Sequence, residues 1–399
     1  MTDITTLETP APTVTDRLPI SGLLALATAA FITILTEALP AGLLPRMSAD
    51  LGVSQSLIGQ LVTMYAVGSL VAAIPLTTAT QSWRRRPLLL LAIGGFAVVN
   101  TITALSDSYA LTLVARFFAG VSAGLLWALA AGYASRMAPE HLKGRAIAIA
   151  MVGAPLALSL GIPAGTLLGA AIGWRTTFGI ISLMTVALVF WVMWKVPDFA
   201  GQPAGRRLPL SRVFTLPGIR PVLFVTLTYV LAHNILYTYI APFLARSGLG
   251  GRIDMVLFVF GAAAVLSIWI AGALIDRWLR ELMLISTALF MLAGLMLGVW
   301  GTMPAMVYAG IALWGLAFGG MATLVQTASA HAAGEAADLA QSMIVTVWNI
   351  AIAGGGIIGG LLLDSWGVAS FTPVLVLLLV AALLVAARAS KHGFPPARA

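Results

Sequence analysis

The chain alternates between long, uninterrupted apolar runs and short polar segments. Each of the twelve apolar runs is about 20 residues long, the length of an α-helix that crosses a hydrocarbon layer of about 30 Å. The runs lack the two-residue alternation of barrel strands, so the pattern predicts an all-α membrane protein. The predicted spans are residues 20–45, 57–79, 87–106, 109–134, 145–170, 174–196, 221–245, 253–274, 282–301, 303–329, 342–363 and 368–387.

Composition supports this prediction and excludes several classes of protein. Of the 399 residues, 60% are hydrophobic and only 9% are charged, whereas soluble domains carry about 25% charged residues. Twelve spans leave room only for short loops, so no catalytic domain outside the membrane is expected. The chain has no cysteine, no phosphate-binding P-loop pattern and no cluster with metal-ligand spacing. We therefore expect no metal, no cofactor and no enzymatic activity.

The longest internal polar stretch divides the chain into two halves of six spans. The first residues are polar but lack the features of a signal peptide, so the first span is expected to be retained. The predicted organisation is a tail at 1–17, six-helix bundles at 18–196 and 221–388, a linker at 197–220 and a tail at 389–399.

Basic residues are concentrated on one side of the predicted topology. With both termini on that side, it holds 17 Lys and Arg residues and the other side holds four. The positive-inside rule then predicts that both termini are cytoplasmic, and it explains the net charge of +8 without a nucleic-acid partner. The four outer residues are Arg46, Arg175, Arg246 and Arg252.

The two halves resemble each other. Pro45 near the end of the first span corresponds to Pro242 in the seventh, and the basic loop after span 2 corresponds to the loop after span 8. A parallel repeat of six helices is one plan of secondary transporters. This predicts two pseudo-symmetric six-helix bundles.

Two charged residues lie well inside apolar runs: Glu37 in the first span and Arg116 in the fourth. Charged groups inside a bilayer are costly, so they are commonly paired or functional. At 1.5 Å per residue, both lie roughly 10–12 Å below the same membrane surface. Equal depth permits a pair that faces one central cavity, either as a fixed link between two helices or as part of a working site.

Several motifs together resemble the major facilitator superfamily, and most closely its arabinose and sugar efflux permeases within the drug:proton antiporter branch. The resemblance covers roughly residues 18–388. It implies two six-helix bundles that open alternately to each side of a bacterial cytoplasmic membrane. The motifs are the cytoplasmic signature loop at 272–280 (GALIDRWLR), the fourth-helix element at 116–120 (RFFAG), the helix-5 antiporter motif at 161–165 (GIPAG), and the subgroup elements at 237–243 (YTYIAPF) and 314–319 (WGLAFG).

The resemblance implies which residues switch between conformations. In the first half, however, Thr77 and Gln81 stand where the signature loop normally has glycine and aspartate. The helix-5 glycines are expected to seal or slide against helix 8. The candidate switch residues are Gly272, Asp276, Arg277, Arg280, Gly161, Pro163 and Gly165.

Glu37 is the candidate proton carrier, with Arg116 as its partner. Burial favours a protonated carboxyl and a neighbouring guanidinium favours the ionised form, so a change in geometry could load or release a proton. The alternative is a fixed ion pair with a structural role. Polar and aromatic residues in other spans are candidates for substrate binding, although each could instead serve packing: His233, Asn234, Tyr237, Trp127, Trp314, Gln326 and Asn349.

The expected function is proton-coupled export of a small polar solute, a sugar or a related compound, by a monomer. The nearest alternative is a multidrug:proton antiporter, followed by a nucleoside or amino-acid exporter. A membrane-embedded enzyme acting on lipid is the alternative from another class. It would need two or more polar catalytic groups within the bilayer, and the sequence offers few.

Overall fold

The computed structural model describes residues 18–80, 82–139, 142–201 and 210–395. The predicted tail at 1–17, Gln81, most of the linker's centre and the last four residues lie outside the described residues. The rest contains twelve helices long and apolar enough to cross a membrane, which confirms the predicted all-α class. Helices 1 to 12 are Ile20–Leu51, Gln55–Ala79, Arg85–Leu105, Tyr109–Arg136, Arg145–Ile172, Trp174–Lys195, Ile219–Thr238, Ile253–Ile275, Arg277–Val299, Pro304–Ala333, Ala340–Trp366 and Val368–Arg388.

Local sequence signals explain where the first helices end. Helix 1 runs beyond its predicted end at residue 45 to Leu51, and it stops at Gly52, whose φ of 64° suits glycine best. Helix 2 then starts at Ser54, whose hydroxyl accepts the N–H of Leu57 at 3.3 Å as an N-cap. We call this end of the bundle the distal end, and the end that holds Ile20 and Arg388 the terminal end.

Three spans that the sequence predicts as single helices are interrupted. Helix 5 contains a π-helical turn at Ala157–Gly161. Helix 7 ends at Thr238 and continues as Ile240–Ala245, because Pro242 cannot donate to the Thr238 carbonyl. Helix 10 breaks at the Gly319-Gly320 pair between Pro304–Phe318 and Met321–Ala333. Breaks of this kind are tolerated in membranes where neighbouring helices cover the freed backbone groups.

Helices 8 and 9 meet at a sharp kink. Residues 253–299 form two helices joined at Trp278, whose φ of −127° and ψ of 30° are not helical. The loop predicted between residues 274 and 282 is therefore reduced to this short break, and most of the signature residues 272–280 lie at the adjoining ends of the two helices. Residues 273–293 contain neither glycine nor proline, so the two helices extend further into this segment than predicted.

The beginning of the linker is fixed to the terminal ends of helices 3 and 4. Asp198 accepts Arg84 Nε at 2.5 Å and the Arg86 N–H at 3.0 Å. Tyr133 donates to the Pro197 carbonyl at 2.6 Å, and its ring packs edge-on against Phe199. A short helix at Leu210–Phe214 follows before helix 7.

The described contacts between the two halves lie in the middle and at the distal end of the bundle. Helix 2 packs on helices 7 and 11 through a small apolar cluster that includes Val62, Val230 and Ile352. Further toward the distal end, Gln60 donates to the Gly356 carbonyl at 3.1 Å. The two bundles are thus joined from mid-depth to the distal end.

Candidate functional site

Pro40 opens the backbone of helix 1 next to Glu37. A proline inside a helix has no N–H and its ring displaces the carbonyl four residues earlier, which here is that of Thr36. Arg116, from helix 4, donates through Nη1 to this carbonyl. Its Nη2 donates to the Glu37 carbonyl at 2.9 Å and its Nε to the Leu61 carbonyl at 3.2 Å. All three guanidinium nitrogens therefore bind main-chain oxygens, on helices 1 and 2.

The predicted ion pair between Glu37 and Arg116 is not formed. Among the described residues, no carboxylate oxygen of Glu37 lies within 4.0 Å of an arginine nitrogen; what Arg116 binds is the main chain of Glu37. The physical reason is the acceptor that Pro40 leaves open, since a guanidinium buried to 1% exposure must satisfy its donors nearby. Glu37 itself is half-buried.

The Glu37 carboxylate interacts electrostatically with three groups from three other helices. They are Arg116 on helix 4, Tyr65 on helix 2 and Tyr237 on helix 7. Tyr65 donates to the Thr33 carbonyl at 3.2 Å, and the Arg116 guanidinium lies 4.9 Å from its ring centre. Because Tyr237 belongs to the second half, the charge on Glu37 acts on side chains of both halves.

The candidates His233, Tyr237 and Trp314 come together in an aromatic cluster within the second half. The His233 ring stacks on Phe318 with centroids 3.5 Å apart, and lies 5.1 Å from Tyr237 and 5.2 Å from Trp314. Phe260 of helix 8 closes the cluster at 4.5 Å from Trp314. Trp314 is fully buried, so in this conformation its neighbours are other rings.

Two polar atoms in this cluster are unpaired. Neither His233 Nδ1 nor Trp314 Nε1 has a hydrogen-bond partner among the described residues, although both atoms are buried. Buried polar groups without partners are uncommon and costly. Phe318 also contacts Trp348 of helix 11, with centroids 6.1 Å apart, so the cluster reaches a helix that borders the first half.

The remaining binding candidates are not joined to this cluster by any described hydrogen bond or ring contact. Asn234 and Asn349 are buried, and each donates to a carbonyl four residues earlier in its own helix, at 2.9 Å in both cases. Trp127 is half-buried against the core of the protein. Gln326 is exposed on helix 10.

The helix-5 glycines pack against helix 1, which corrects the expectation that they face helix 8. A side chain at Gly161 would meet Phe31 and Leu35, and one at Gly165 would meet Leu39. The reason is that these glycines lie on the face that allows helix 1 to approach closely. Helix 8 instead contacts helix 5 through Gly261, whose hypothetical Cβ would lie 2.4 Å from Ser159 Cα. Pro163 is the second residue of the segment after the π-helical turn and is buried.

The second-half switch candidates lie around the kink between helices 8 and 9. Gly272, Asp276 and Arg277 lie shortly before the kink at Trp278. Arg280 donates to the Ala386, Ala387 and Phe394 carbonyls at 3.1, 2.7 and 2.9 Å, so it caps the end of helix 12. These described contacts of Arg280 stay within the second half.

The distal contact between the halves centres on Tyr239, a residue not selected from the sequence. Its hydroxyl donates to the Gly356 carbonyl at 2.7 Å and the Ser56 carbonyl at 3.3 Å, and it accepts Gln60 Nε2 at 3.3 Å. The ring fits beside Gly59, where any side chain would collide with it. A tyrosine at the break of helix 7 thus fastens helices 2 and 11 together.

A cavity of about 370 Å³ lies at the terminal end between the short linker helix and helices 7 and 11. None of the substrate-binding candidates lines it; its walls are almost wholly apolar. The lining residues are Ser211, Phe214, Leu223, Ser342, Met343, Thr346 and Val347.

No described group of three or more His, Cys, Asp or Glu side chains could hold a metal ion.

The sequence does not single out Tyr65, Phe260 and Phe318 as site residues. An aromatic residue in a span gives the same sequence pattern whether it faces lipid, the protein core or a binding site. Gln60 could have been identified from the sequence, because a side-chain amide in a span needs a polar partner.

Known proteins resemble this chain along nearly its whole length. The purine ribonucleoside efflux pump NepI of Escherichia coli is 30% identical over 366 residues, covering 89% of this chain and 90% of that protein. The protein of the same name from Shigella flexneri gives the same values. Among solved structures, an inward-facing, occupied bacterial homologue of the human lysosomal transporter Spinster has a TM-score of 0.75 at 15% identity. The match covers 93% of this chain and 96% of that one, and it shows a shared fold.

The family model of the major facilitator superfamily matches residues 26–337 and, again, residues 251–399. The two matches overlap in the second half and together cover helices 2 to 12 and most of helix 1. With the relatives at 30% identity, they confirm the resemblance drawn from the sequence motifs, and they support a transporter rather than an enzyme. The chain belongs to the major facilitator superfamily.

Proposed function

We propose that this protein exports a purine ribonucleoside, or a closely related small polar solute, in exchange for protons by alternating access. The observation that carries the proposal is the position of Glu37. Its carboxylate lies at mid-depth on helix 1, within electrostatic reach of Arg116 and Tyr65 from its own half and of Tyr237 from the other. A proton on this group changes the charge that both halves share, so protonation can be coupled to their relative movement.

The aromatic cluster supports a substrate with a planar base. Rings on His233, Tyr237 and Phe318 offer stacking faces, and the unpaired His233 Nδ1 and Trp314 Nε1 can bond to ring nitrogens or hydroxyls. From the sequence, the expected solute is a sugar or a related compound, and a nucleoside exporter is a further alternative. The efflux pumps of Escherichia coli and Shigella flexneri named for purine ribonucleosides point the same way.

The distribution of basic residues supports cytoplasmic termini. The distal end then faces the periplasm, and the Tyr239 contacts close that side. Closure of the distal side is one requirement of the inward-facing state, from which an exporter takes up its substrate, and a single chain supplies both halves of the site.

The test is uptake into inverted membrane vesicles by wild type and Glu37→Gln. The panel is labelled inosine, adenosine, arabinose, a neutral amino acid and a cationic drug, each with and without an uncoupler. Uptake of the nucleosides that the uncoupler abolishes, and that Glu37→Gln lacks, is the expected result. Uptake of the drug or arabinose alone would overturn the nucleoside assignment. Uptake insensitive to both uncoupler and substitution would overturn proton exchange.

A further inference from the structure

Pro40 and the main chain of Thr36 form a distinct feature of helix 1 beside Glu37. In a regular helix the residue at position 40 would donate its N–H to the Thr36 carbonyl. Pro40 has none, and its ring pushes that carbonyl outward. The acceptor is buried among protein groups, so another donor must satisfy it.

Arg116 is the donor that does so. Its Nη1 binds the Thr36 carbonyl, while Nη2 and Nε bind the carbonyls of Glu37 and Leu61. Thr36 is also held from helix 3, where Asn100 Nδ2 donates to its hydroxyl at 3.1 Å. The opened turn is therefore fixed from two sides, and the guanidinium is committed to backbone oxygens.

The consequence for Glu37 is that Arg116 stays close without closing on the carboxylate. The charged or titratable groups that interact electrostatically with Glu37 are Arg116 from helix 4, Tyr65 from helix 2 and Tyr237 from helix 7. A bidentate arginine–carboxylate pair would hold Glu37 ionised and oppose its protonation. A guanidinium tied to the backbone supplies charge at a distance and leaves the carboxylate free to gain and lose a proton.

We propose that Pro40 is a positioning residue for proton coupling: by opening the Thr36 carbonyl it draws Arg116 onto the main chain and prevents an ion pair with Glu37. This inference rests on the proposed proton exchange, but it concerns a different residue and a different step. Restoring an N–H at position 40 should close the helical turn, release Nη1 and let the guanidinium bind the carboxylate.

The experiment compares Pro40→Ala with Pro45→Ala in protein reconstituted into lipid. Pro45→Ala is a matched control, because the change is the same in the same helix. The carbonyl it concerns, that of Ala41, accepts no described side-chain hydrogen bond. Infrared titration follows the carboxylic-acid band that Glu37→Gln removes. In Pro40→Ala this band should disappear at a pH about one unit lower than in wild type. This corresponds to a tenfold lower affinity of the Glu37 carboxylate for its proton.

Pro45→Ala should titrate as wild type does. Equal titration of Pro40→Ala and Pro45→Ala would overturn the inference, and Pro40→Ser, which restores the same N–H, replaces Pro40→Ala if that variant does not fold. The pH profile of transport should move with the infrared midpoint in Pro40→Ala. If the band shifts in Pro40→Ala but transport by wild type does not depend on protons, the proposed function is overturned and the positioning role of Pro40 stands. If the band does not shift in Pro40→Ala but transport by wild type is driven by protons, the positioning role is overturned and the proposed function stands.

Discussion

Arg116 donates to the main-chain carbonyl of Thr36, the acceptor that Pro40 leaves without a helical partner. The guanidinium satisfies two further carbonyls at the same time, across helices 1 and 2. A lysine keeps the charge but concentrates its donors at one point, so it cannot span all three oxygens. We expect Arg116→Lys to fold with reduced stability and to transport about tenfold more slowly, since each lost bond to a charged group costs roughly 1.5–3 kcal/mol.

Transport in vesicles and thermal unfolding in detergent measure the two effects of Arg116→Lys. Arg388→Lys is the control, because Arg388 is exposed at the end of helix 12 and the same change should leave both quantities near wild type. Wild-type transport by Arg116→Lys would show that the charge alone is needed, and not the fork of donors.

Tyr239→Phe should weaken the closed distal end. The variant loses the hydroxyl that binds the Gly356 and Ser56 carbonyls across the two halves. A net loss of about 1 kcal/mol corresponds to about a fivefold shift toward separation of helices 2 and 11. The natural chain has no cysteine, so a single Thr63→Cys, buried in this interface, reports opening through its labelling rate with an impermeant maleimide.

Tyr109→Phe is the matched control for Tyr239→Phe. The Tyr109 hydroxyl also lies near the distal end and donates to the Leu57 carbonyl at 2.8 Å, but both residues belong to the first half. Labelling of Thr63→Cys should rise about fivefold with Tyr239→Phe and stay constant with Tyr109→Phe. If both substitutions change the rate equally, Tyr239 is not a specific contact between the halves.

The number and class of the helices could be predicted from the sequence because hydrophobic length is a strong signal in a membrane. The existence of each span follows from about 20 apolar residues. The break at Tyr239 could also have been inferred, since Pro242 removes a donor to Thr238. The sequence predicts a loop at residues 275–281 between spans 8 and 9, whereas the structure reduces this connection to a kink at Trp278, because the segment contains no helix breaker.

The site was only partly predictable. Glu37 and Arg116 stood out because charge within an apolar run is conspicuous, and the structure does bring them together. That they meet through the backbone rather than through the carboxylate depends on the three-dimensional consequence of Pro40, which spacing alone does not reveal. Aromatic partners such as Phe260 were missed, because an apolar ring in an apolar span carries no positional signal.

Asp198→Asn should reduce stability at neutral pH and have little effect in acid. The Arg86 N–H and the Arg84 guanidinium hold the pKa of Asp198 below its ordinary value of 3.8. A carboxyl with a lowered folded-state pKa adds stability above the unfolded-state pKa, and this stability is lost as pH falls through the lowered value. The gap in melting temperature between wild type and Asp198→Asn should therefore be constant above about pH 5 and shrink below the ordinary pKa.

Asp107→Asn is the control for this pH series. Asp107 pairs with Arg175 at 2.9 Å but is 92% exposed, and exposed ion pairs contribute little. Its melting temperature should follow wild type across the series. A gap for Asp198→Asn that persists unchanged in acid would mean that the side chain acts through packing and not through its charge.

Gly261→Ala should also open the distal side, by obstruction rather than by loss of a bond. A Cβ at Gly261 would lie 2.4 Å from Ser159 Cα and 2.9 Å from the Leu158 carbonyl, so helices 5 and 8 of opposite halves could not stay in contact. Alanine favours helix over glycine by roughly 1 kcal/mol, which by itself would stabilise the protein.

Gly94→Ala separates that helix effect from the packing effect in Gly261→Ala. Gly94 lies in helix 3 with open space around it, so alanine there brings the helical gain alone. We expect Gly94→Ala to leave Thr63→Cys labelling unchanged and Gly261→Ala to increase it severalfold, with a lower melting temperature. Identical behaviour of the two alanine variants would mean that helix 8 does not close against helix 5. Closure of the distal side would then depend on the Tyr239 contact alone. In that case Thr63→Cys would be labelled no faster in the double variant Gly261→Ala/Tyr239→Phe than in Tyr239→Phe.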